Sequence, residues 1–149
     1  MKKIKVLVVD DEPLARERLT TLLSQEPDVE LVTPARDGEE AITSIHDDSP
    51  DLVFLDVQMP QMNGFDVIEA VGSDKMPLVI FVTAYDQHAL KAFQVRALDY
   101  LLKPFDRERF TDALQRARRQ LERDTADCDR LAGIARLGGH VIASGSACA

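Results

Sequence analysis

Acidic side chains directly follow two short apolar runs of this chain. Val6 to Val9 leads into Asp10 and Asp11, and Leu52 to Leu55 leads into Asp56. An Asp at the end of a buried run lies at the rim of a sheet, where open α/β proteins bind ligands and do chemistry. If the two strand ends are adjacent, their carboxylates form a concentrated negative site that suits a divalent cation.

The acidic residues could support chemistry on phosphate. Mg²⁺ takes one or two protein carboxylates and keeps several waters. Asp11 and Asp56 can supply these carboxylates, and the main-chain carbonyl of Gln58 can supply a further oxygen. Such a cation would neutralise the acids and polarise an incoming phosphoryl group. Asp56 is then a carboxylate nucleophile, and its attack on phosphorus gives an acyl phosphate.

Groups that can bind phosphate follow two further apolar runs. Thr83 and Ala84 come after Leu78 to Val82, and Lys103 comes after Tyr100 to Leu102. A transferring phosphoryl group spreads negative charge over its oxygens, so donors and cations should surround it. The Lys103 ammonium is a point-charge phosphate partner, and the Thr83 hydroxyl and the Ala84 main-chain N–H can donate.

The elements that position these residues alternate along the chain. Short, mostly apolar runs predict strands at Ile4–Val9, Val29–Val32, Leu52–Leu55, Leu78–Val82 and Tyr100–Leu102. Helical patterns follow from Pro13, Gly38, Phe65, Asp86 and Asp106. Continuous apolar strands indicate burial on both faces, which predicts a doubly wound α/β fold with a five-stranded parallel sheet. Right-handed crossovers bring every strand's carboxyl end to one edge.

Composition narrows the classes of function. The net charge of −8 argues against this chain itself gripping nucleic acid through phosphates, which requires a basic surface. No apolar stretch is long enough to span a bilayer, and the start of the chain has no signal-peptide pattern. We therefore expect a cytoplasmic protein with no membrane partner.

The helical pattern fades after about Arg123. We predict a folded domain over residues 1–123 and a flexible tail or linker remnant over 124–149, whose end is rich in Gly, Ser and Ala. Cys128 and Cys148 both lie in this tail and form no metal-type cluster, as is typical of a reduced, cytosolic protein.

Taken in order, these motifs resemble the receiver domain of two-component response regulators. The resemblance covers residues 4 to about 121 and rests on Val8-Val9-Asp10-Asp11-Glu12, Leu55-Asp56-Val57-Gln58-Met59-Pro60, Asn63-Gly64, Val82-Thr83-Ala84 and Tyr100-Leu101-Leu102-Lys103-Pro104-Phe105. Each motif alone is weak, but the ordered set is highly specific. The resemblance implies a flavodoxin-like (βα)5 fold and a cis peptide between Lys103 and Pro104.

The resemblance also implies a role for each site residue. It makes Asp56 the phosphoacceptor, Asp10 with Asp11 the acidic pair for Mg²⁺, Lys103 the phosphate-binding lysine, Thr83 the switch hydroxyl and Tyr100 the switch aromatic. It implies a sensor histidine kinase as the phosphoryl donor. The chain would catalyse its own Mg²⁺-dependent phosphorylation and dephosphorylation and would not otherwise be an enzyme.

Phosphorylation would repack a distant face of the domain. Thr83 and Lys103 would move toward the phosphoryl group, and Tyr100 would fill the space that Thr83 vacates. The affected face comprises the fourth helix, last strand and last helix, where we expect a homodimer or a docked partner. Arg116, Arg118 and Arg119 on the last helix are interpreted as a solvated face, with contacts to acids of a second copy as the alternative.

The expected output is transcription regulation. The segment Ala97 to Phe105 is similar to the receivers that precede LytTR-type DNA-binding domains. In such proteins roughly a hundred further residues follow, within the usual size of a domain. DNA would be bound only through such an effector domain, and the sequence leaves open a truncated chain or a receiver-only protein.

Two other functions fit an acidic rim on an α/β sheet. A phosphohydrolase with an aspartyl intermediate usually needs a second acid two residues after the nucleophile, where this chain has Gln58. A flavodoxin-like cofactor binder needs a loop that cradles phosphate with N–H groups, and the acids after the first strand would repel that phosphate. Both alternatives are therefore less favoured than the receiver.

Overall fold

The computed structural model of the chain describes residues 3–72, 74–84 and 97–138, with side chains described as far as residue 124. The strands are β1 (Ile4–Val9), β2 (Val29–Leu31), β3 (Leu52–Asp56), β4 (Leu78–Thr83) and β5 (Asp99–Leu102). The helices of this part of the chain are α1 (Pro13–Ser24), α2 (Gly38–Asp48), α3 (Gly64–Val71) and α4 (Arg107–Gly138). The helix predicted at Asp86–Val95 lies outside the described residues.

All five strands pair in parallel, in the order β2-β1-β3-β4-β5. The predicted doubly wound, flavodoxin-like α/β fold is therefore confirmed. Strand β3 lies at the centre, and its register places Val9 of β1 opposite Leu55. On the other side Asp56 pairs with Val82 of β4. This register sets Asp10 and Asp56 side by side at the carboxyl edge of the sheet.

Alternating side chains of the strands build a core layer on each face of the sheet. One layer joins β-strand residues to α1 and α4, through Leu19, Leu23, Phe54, Phe110 and Leu114. The other layer joins them to α2 and α3, through Leu7, Ala41, Ile45, Val67 and Phe81. Every residue of β3 is buried, as the apolar run predicts for a strand covered on both faces.

The helices begin where the local sequence favours a start. Pro13 occupies the first turn of α1, where its missing N–H leaves no intrahelical bond unmade. The Asp37 carboxylate accepts a hydrogen bond from Glu40 N–H at 2.9 Å and caps α2. Asn63 and Asp66 form a reciprocal capping box at α3. These caps fix the loops that precede each helix, including the loop after β3.

The last helix is longer than the sequence pattern predicts. It continues to Gly138, past the predicted domain end at Arg123. The domain boundary itself stays a prediction, although the first part of the predicted tail is helical. No helix among the described residues combines the length and the hydropathy that crossing a membrane requires.

An ion-pair cluster ties α4 to the turn before β2. Both nitrogens of the Arg118 guanidinium that face Asp28 donate to its carboxylate at 2.8 Å, and one also lies 3.0 Å from Glu26. The hydrogen bond from Arg118 holds the pKa of Asp28 below its usual range. The interpretation of a solvated face is therefore wrong for Arg118, which contacts acids of its own chain.

Phe110 is the residue of α4 on which we expect the packing of that helix to depend most. Its side chain is 1% exposed and its ring stacks on Phe54 with centroids 5.7 Å apart. We expect Phe110→Ala to lower the free energy of unfolding by about 3–5 kcal/mol, because the cavity adds to the lost burial. Urea unfolding followed by circular dichroism measures this. Leu14→Ala, at a side chain that is 73% exposed, is the control and should stay within about 0.5 kcal/mol of the wild type.

Candidate functional site

Asp56 ends the central strand and projects a carboxylate into the rim. The residue is only 4% exposed. Its Oδ1 accepts a hydrogen bond from the Gln58 main-chain N–H at 3.1 Å. Neighbouring strands on both sides of β3 fix the backbone, so the position of this carboxylate is set by the sheet.

Three carboxylates meet at this rim. One oxygen from each of Asp10, Asp11 and Asp56 lies within 4.8 Å of the other two. Asp10 is fully buried, and its Oδ1 accepts a hydrogen bond from Glu12 N–H at 2.9 Å. Asp11 is exposed and lies at the mouth of the cluster. The adjacency expected from the two apolar runs is thus present in the structure.

Lys103 supplies the positive charge of the cluster. Its Nζ donates to Asp10 Oδ2 at 2.8 Å and lies 3.8 Å from Asp56 Oδ2. The expected cis peptide to Pro104 is confirmed. The Lys103 main-chain N–H donates to the Thr83 carbonyl at 2.6 Å, and Arg18 donates to the carbonyl of Phe105 at 2.6 Å. The loop that carries the ammonium is therefore fixed on both sides.

The electrostatics of the cluster show an excess of negative charge. Burial, reinforced by the negative charge of Asp10, raises the pKa of Asp56 to about 8, although Lys103 and the Gln58 N–H act in the opposite direction. Burial alone would lower the pKa of Lys103. The hydrogen bond to Asp10 and the nearby carboxylates outweigh this effect and hold that pKa above its usual value. One lysine does not compensate two buried acids, so the cluster favours an additional cation.

The donor set fits a hard divalent cation. The carboxylates open onto a cleft lined by Asp11, Val57, Gln58, Met59, Pro60 and Asn63. Carboxylate and carbonyl oxygens are the ligands that Mg²⁺ and Ca²⁺ prefer, and open access leaves room for the waters that Mg²⁺ retains. The acidic cluster of this domain could therefore bind a metal.

The remaining predicted residues lie at or near the same rim. Thr83 is buried at the end of β4, and Ala84 follows it at the surface. Tyr100 pairs with Phe81 across β4 and β5 and is half-buried against the core layer under α2 and α3. The packing of Tyr100 is thus observed, whereas the switch roles of Thr83 and Tyr100 and the phosphate contact of Ala84 stay predictions.

Two supporting residues were not recognised from the sequence as parts of the site. A side chain on Gly64 would place a Cβ 2.7 Å from the main-chain oxygen of Asp56, so only glycine lets α3 start so close to β3. The Asn63-Gly64 dipeptide was the signal for this contact. Arg16 donates to the Asp10 carbonyl at 2.8 Å, and no sequence motif indicates this bond.

The fold and the acidic cluster together define a signalling receiver, and comparison with known proteins agrees. The family model of the response regulator receiver domain matches residues 6–115. The chain belongs to this family. Membership favours the receiver over the phosphohydrolase, because receiver domains are typically not enzymes. It favours the receiver over the cofactor binder because the matching family is that of response regulator receivers.

Curated relatives are transcriptional and sensory regulators. The sensory transduction protein LytT of Enterococcus faecalis is 49% identical over 117 residues, covering 78% of this chain and 48% of the relative. The transcriptional regulatory protein BtsR of Salmonella typhi is 44% identical over 117 residues, covering 78% and 49%. The chain thus spans about half the length of the curated relatives it matches. The predicted resemblance to receivers of LytTR-type regulators is confirmed.

Solved receiver domains share the fold. The response regulatory domain of mrkE from Klebsiella pneumoniae superposes with a TM-score of 0.74 at 31% identity, covering 80% of this chain and 99% of that one. The receiver domain of AraT from Geobacillus stearothermophilus gives a TM-score of 0.74 at 32% identity, with 81% and 97% covered.

The raised pKa of Asp56 predicts that its ionisation destabilises the fold. When the pKa of a carboxyl is higher in the folded than in the unfolded state, the free energy of unfolding falls as pH rises between the two pKa values, here from about 4 to about 8. In EDTA at pH 8, the free energy of unfolding of Asp56→Asn should therefore exceed that of the wild type by up to about 5 kcal/mol, and the difference should vanish near pH 4. Urea unfolding across this pH range measures the effect, and Mg²⁺ should reduce it at pH 8.

The control for this comparison is Asp47→Asn, which removes the same charge from a side chain that is 64% exposed. It should stay within about 0.5 kcal/mol of the wild type at every pH, because the His46 beside it is also exposed. A wild type that is as stable as Asp56→Asn at pH 8 in EDTA would contradict the expected electrostatic cost.

Proposed function

We propose that this domain is a phospho-receiver that takes a phosphoryl group from a sensor histidine kinase onto Asp56 and stores it there. One observation carries the proposal. The buried Asp56 carboxylate shares the rim with two further carboxylates within 4.8 Å and with the Lys103 ammonium 3.8 Å away. This arrangement combines a nucleophile, oxygen ligands for a cation and a positive charge for phosphate.

The transfer exchanges one bond to phosphorus for another. An oxygen of the ionised Asp56 attacks phosphorus, and the bond to the imidazole nitrogen of the kinase histidine breaks. The electron pair leaves with the imidazole, which takes up a proton, and Asp56 becomes an acyl phosphate. Lys103 is placed to bind an oxygen of the transferred group, and the Thr83 hydroxyl and the Ala84 N–H are proposed as further donors.

The acidic cluster would hold Mg²⁺ through Asp10, Asp11, Asp56 and the main-chain carbonyl of Gln58. When bound, Mg²⁺ supplies charge compensation for the carboxylates and polarises the phosphoryl oxygens. The support for this ligand set is the crowding of the three acids and the raised pKa of Asp56.

Gln58 supports storage of the phosphoryl group. It lies two residues after the nucleophile, where an acid would assist hydrolysis, and an amide cannot donate or accept the proton that this requires. The acyl phosphate should therefore be lost only by slow self-dephosphorylation. The proposed role is that of a switch, with no turnover of a separate substrate.

Phosphorylation identifies the acceptor directly. With acetyl phosphate or a kinase and Mg²⁺, we expect one phosphoryl group per chain on the wild type and on Asp47→Asn. Asp56→Asn should take up none, because the amide is no nucleophile. Phosphate-affinity electrophoresis and intact mass spectrometry measure this, and stoichiometric labelling of Asp56→Asn would refute the assignment.

The output face is proposed to comprise β5, α4 and the predicted helix at Asp86–Val95, of which only β5 and α4 are described. Arg109 binds the Asp99 carboxylate with two nitrogens at 2.7 and 3.0 Å and donates to the Tyr100 carbonyl at 2.8 Å. Burial would raise the pKa of Asp99, but the hydrogen bonds from Arg109 and from the Tyr100 main-chain N–H outweigh it and hold that pKa below its usual value. The bonds of Arg109 join α4 to β5, the strand that carries Tyr100 and leads directly into Lys103.

Movement of Thr83 toward the phosphoryl group would draw Tyr100 inward and alter this face. The proposed consequence is a homodimer and, through an effector domain of the kind that follows LytTR-type receivers, control of DNA binding. We propose that the chain acts in the cytoplasm. The support is that the curated relatives are regulators about twice as long as the segment of this chain that they match.

The switch can be separated from the chemistry. We expect Thr83→Ala to accept the phosphoryl group, more slowly than the wild type, because Asp56 and Lys103 remain in place. The phosphorylated variant should sediment as the unmodified protein does, whereas the phosphorylated wild type should shift toward a dimer. Analytical ultracentrifugation measures this, and an equal shift in both proteins would exclude Thr83 as the switch hydroxyl.

A further inference from the structure

The loop between β3 and α3 has an unusual neighbour at its far end. Met62 lies against Gly38, the first residue of α2. A Cβ on Gly38 would lie 2.6 Å from Met62 Sδ, 2.8 Å from its Cγ and 2.9 Å from its Cβ. Gly38 does not have a positive φ, so the backbone conformation does not require glycine there. The requirement comes from the close approach of Met62.

The start of α2 is tied to the strand that carries the acidic pair. Ala35 N–H donates to the Val8 carbonyl at 2.9 Å, and Asp10 N–H donates to the Ala35 carbonyl at 3.2 Å. Asp37 then caps the helix that Gly38 begins. Gly38 therefore occupies a fixed position relative to Asp10, and a side chain that rests on it is located relative to the acids of the site.

The loop that contains Met62 also forms one wall of the cleft beside the acidic cluster. Its start is held by the bond from Gln58 N–H to Asp56, and its end by the bond from Gly64 N–H to the Val57 carbonyl at 3.0 Å. Between these points Gln61 adopts a positive φ of 69°, and Met62 N–H donates to the Pro60 carbonyl at 2.7 Å. The outer part of the loop is thus a tight turn, and its Met62 contacts α2 at Gly38.

We propose that Gly38 and Met62 are positioning residues for the metal cleft. Their contact sets how closely the loop with Gln58 approaches Asp10 and Asp11. A side chain at position 38 would push Met62 and the loop outward and separate the two halves of the ligand set. This inference rests on the proposed function, because it assigns the contact a role in the cation binding of that site.

A purely structural role predicts a different pattern of effects. Replacing glycine by alanine at the start of a helix, where φ permits it, normally stabilises the helix. If the contact only packed α2 against the loop, Gly38→Ala would change stability and leave Mg²⁺ affinity as it is. If the contact positions the loop, Mg²⁺ affinity falls although no ligand has been replaced.

The test is a Mg²⁺ titration of the full chain by isothermal titration calorimetry, paired with phosphorylation rates from acetyl phosphate. We expect Gly38→Ala to raise the Mg²⁺ dissociation constant by about tenfold, as loss of a residue that orients metal ligands typically does. The phosphorylation rate should fall at low Mg²⁺ and recover at saturating Mg²⁺.

Rescue distinguishes displacement of the loop from general damage. Met62→Ala removes the two atoms nearest to the new Cβ and leaves the contact at 2.9 Å. Gly38→Ala with Met62→Ala should therefore bind Mg²⁺ more tightly than Gly38→Ala alone. The matched control is Ile45→Ala, a buried residue of the same helix. It should lower stability and keep the wild-type Mg²⁺ constant.

Unchanged Mg²⁺ affinity in Gly38→Ala, or an equal loss in Ile45→Ala, would overturn the inference. A wild type that binds no Mg²⁺ would instead refute the proposed function. In that case amide hydrogen exchange at Gln58 and Gly64 still tests the positioning role. Faster exchange in Gly38→Ala than in Ile45→Ala would support it, and equal exchange would exclude it.

Discussion

The site depends on two buried carboxyl groups that the sheet holds side by side and that cannot both ionise without repelling each other. Asp10 directly follows β1, and Asp56 ends β3, the strand with which β1 pairs. The register of this pair places the two residues side by side. Lys103 bonds Asp10 at 2.8 Å and lies further from Asp56, at 3.8 Å. Asp10 is thereby satisfied, whereas burial and, after it, the negative charge of Asp10 raise the pKa of Asp56 to about 8.

The close approach of these two acids requires that hydrogen bonds and packing fix the loops after β1 and β3. A carboxylate pair that repels would spread if its backbone could move, since buried like charges are costly. Hydrogen bonds from main-chain N–H groups to Asp10 and Asp56, and the close packing of Gly64 on the end of β3, oppose this movement. Stability is given up at the rim, and the two core layers of the sheet supply it elsewhere.

The strands could be predicted from the sequence because a strand that is buried on both faces is a continuous apolar run, and few other elements have this pattern. The order of the motifs then located Asp10, Asp11, Asp56 and Lys103 at one edge, and the structure brings them together. What the sequence did not reveal depends on contacts between distant segments. The docking of α4 determines the bonds of Arg118 to Asp28 and Glu26. The docking of α2 determines the contact between Met62 and Gly38. The length of α4 was underestimated because most residues of the segment 122–130 are charged and interrupt the apolar pattern.

The raised pKa of Asp56 also constrains when the residue can react. A protonated carboxyl is no nucleophile, and at neutral pH a group with a pKa of about 8 is mostly protonated. In the proposed phosphorylation, Asp56 would therefore react only when additional positive charge in the cleft lowers that pKa. Burial therefore has two effects. It shields the carboxylate from solvent, and it makes the ionisation of Asp56 depend on the same cation that would bind the incoming phosphoryl group. A more exposed aspartate would be ionised at neutral pH without the cation and would lack this dependence.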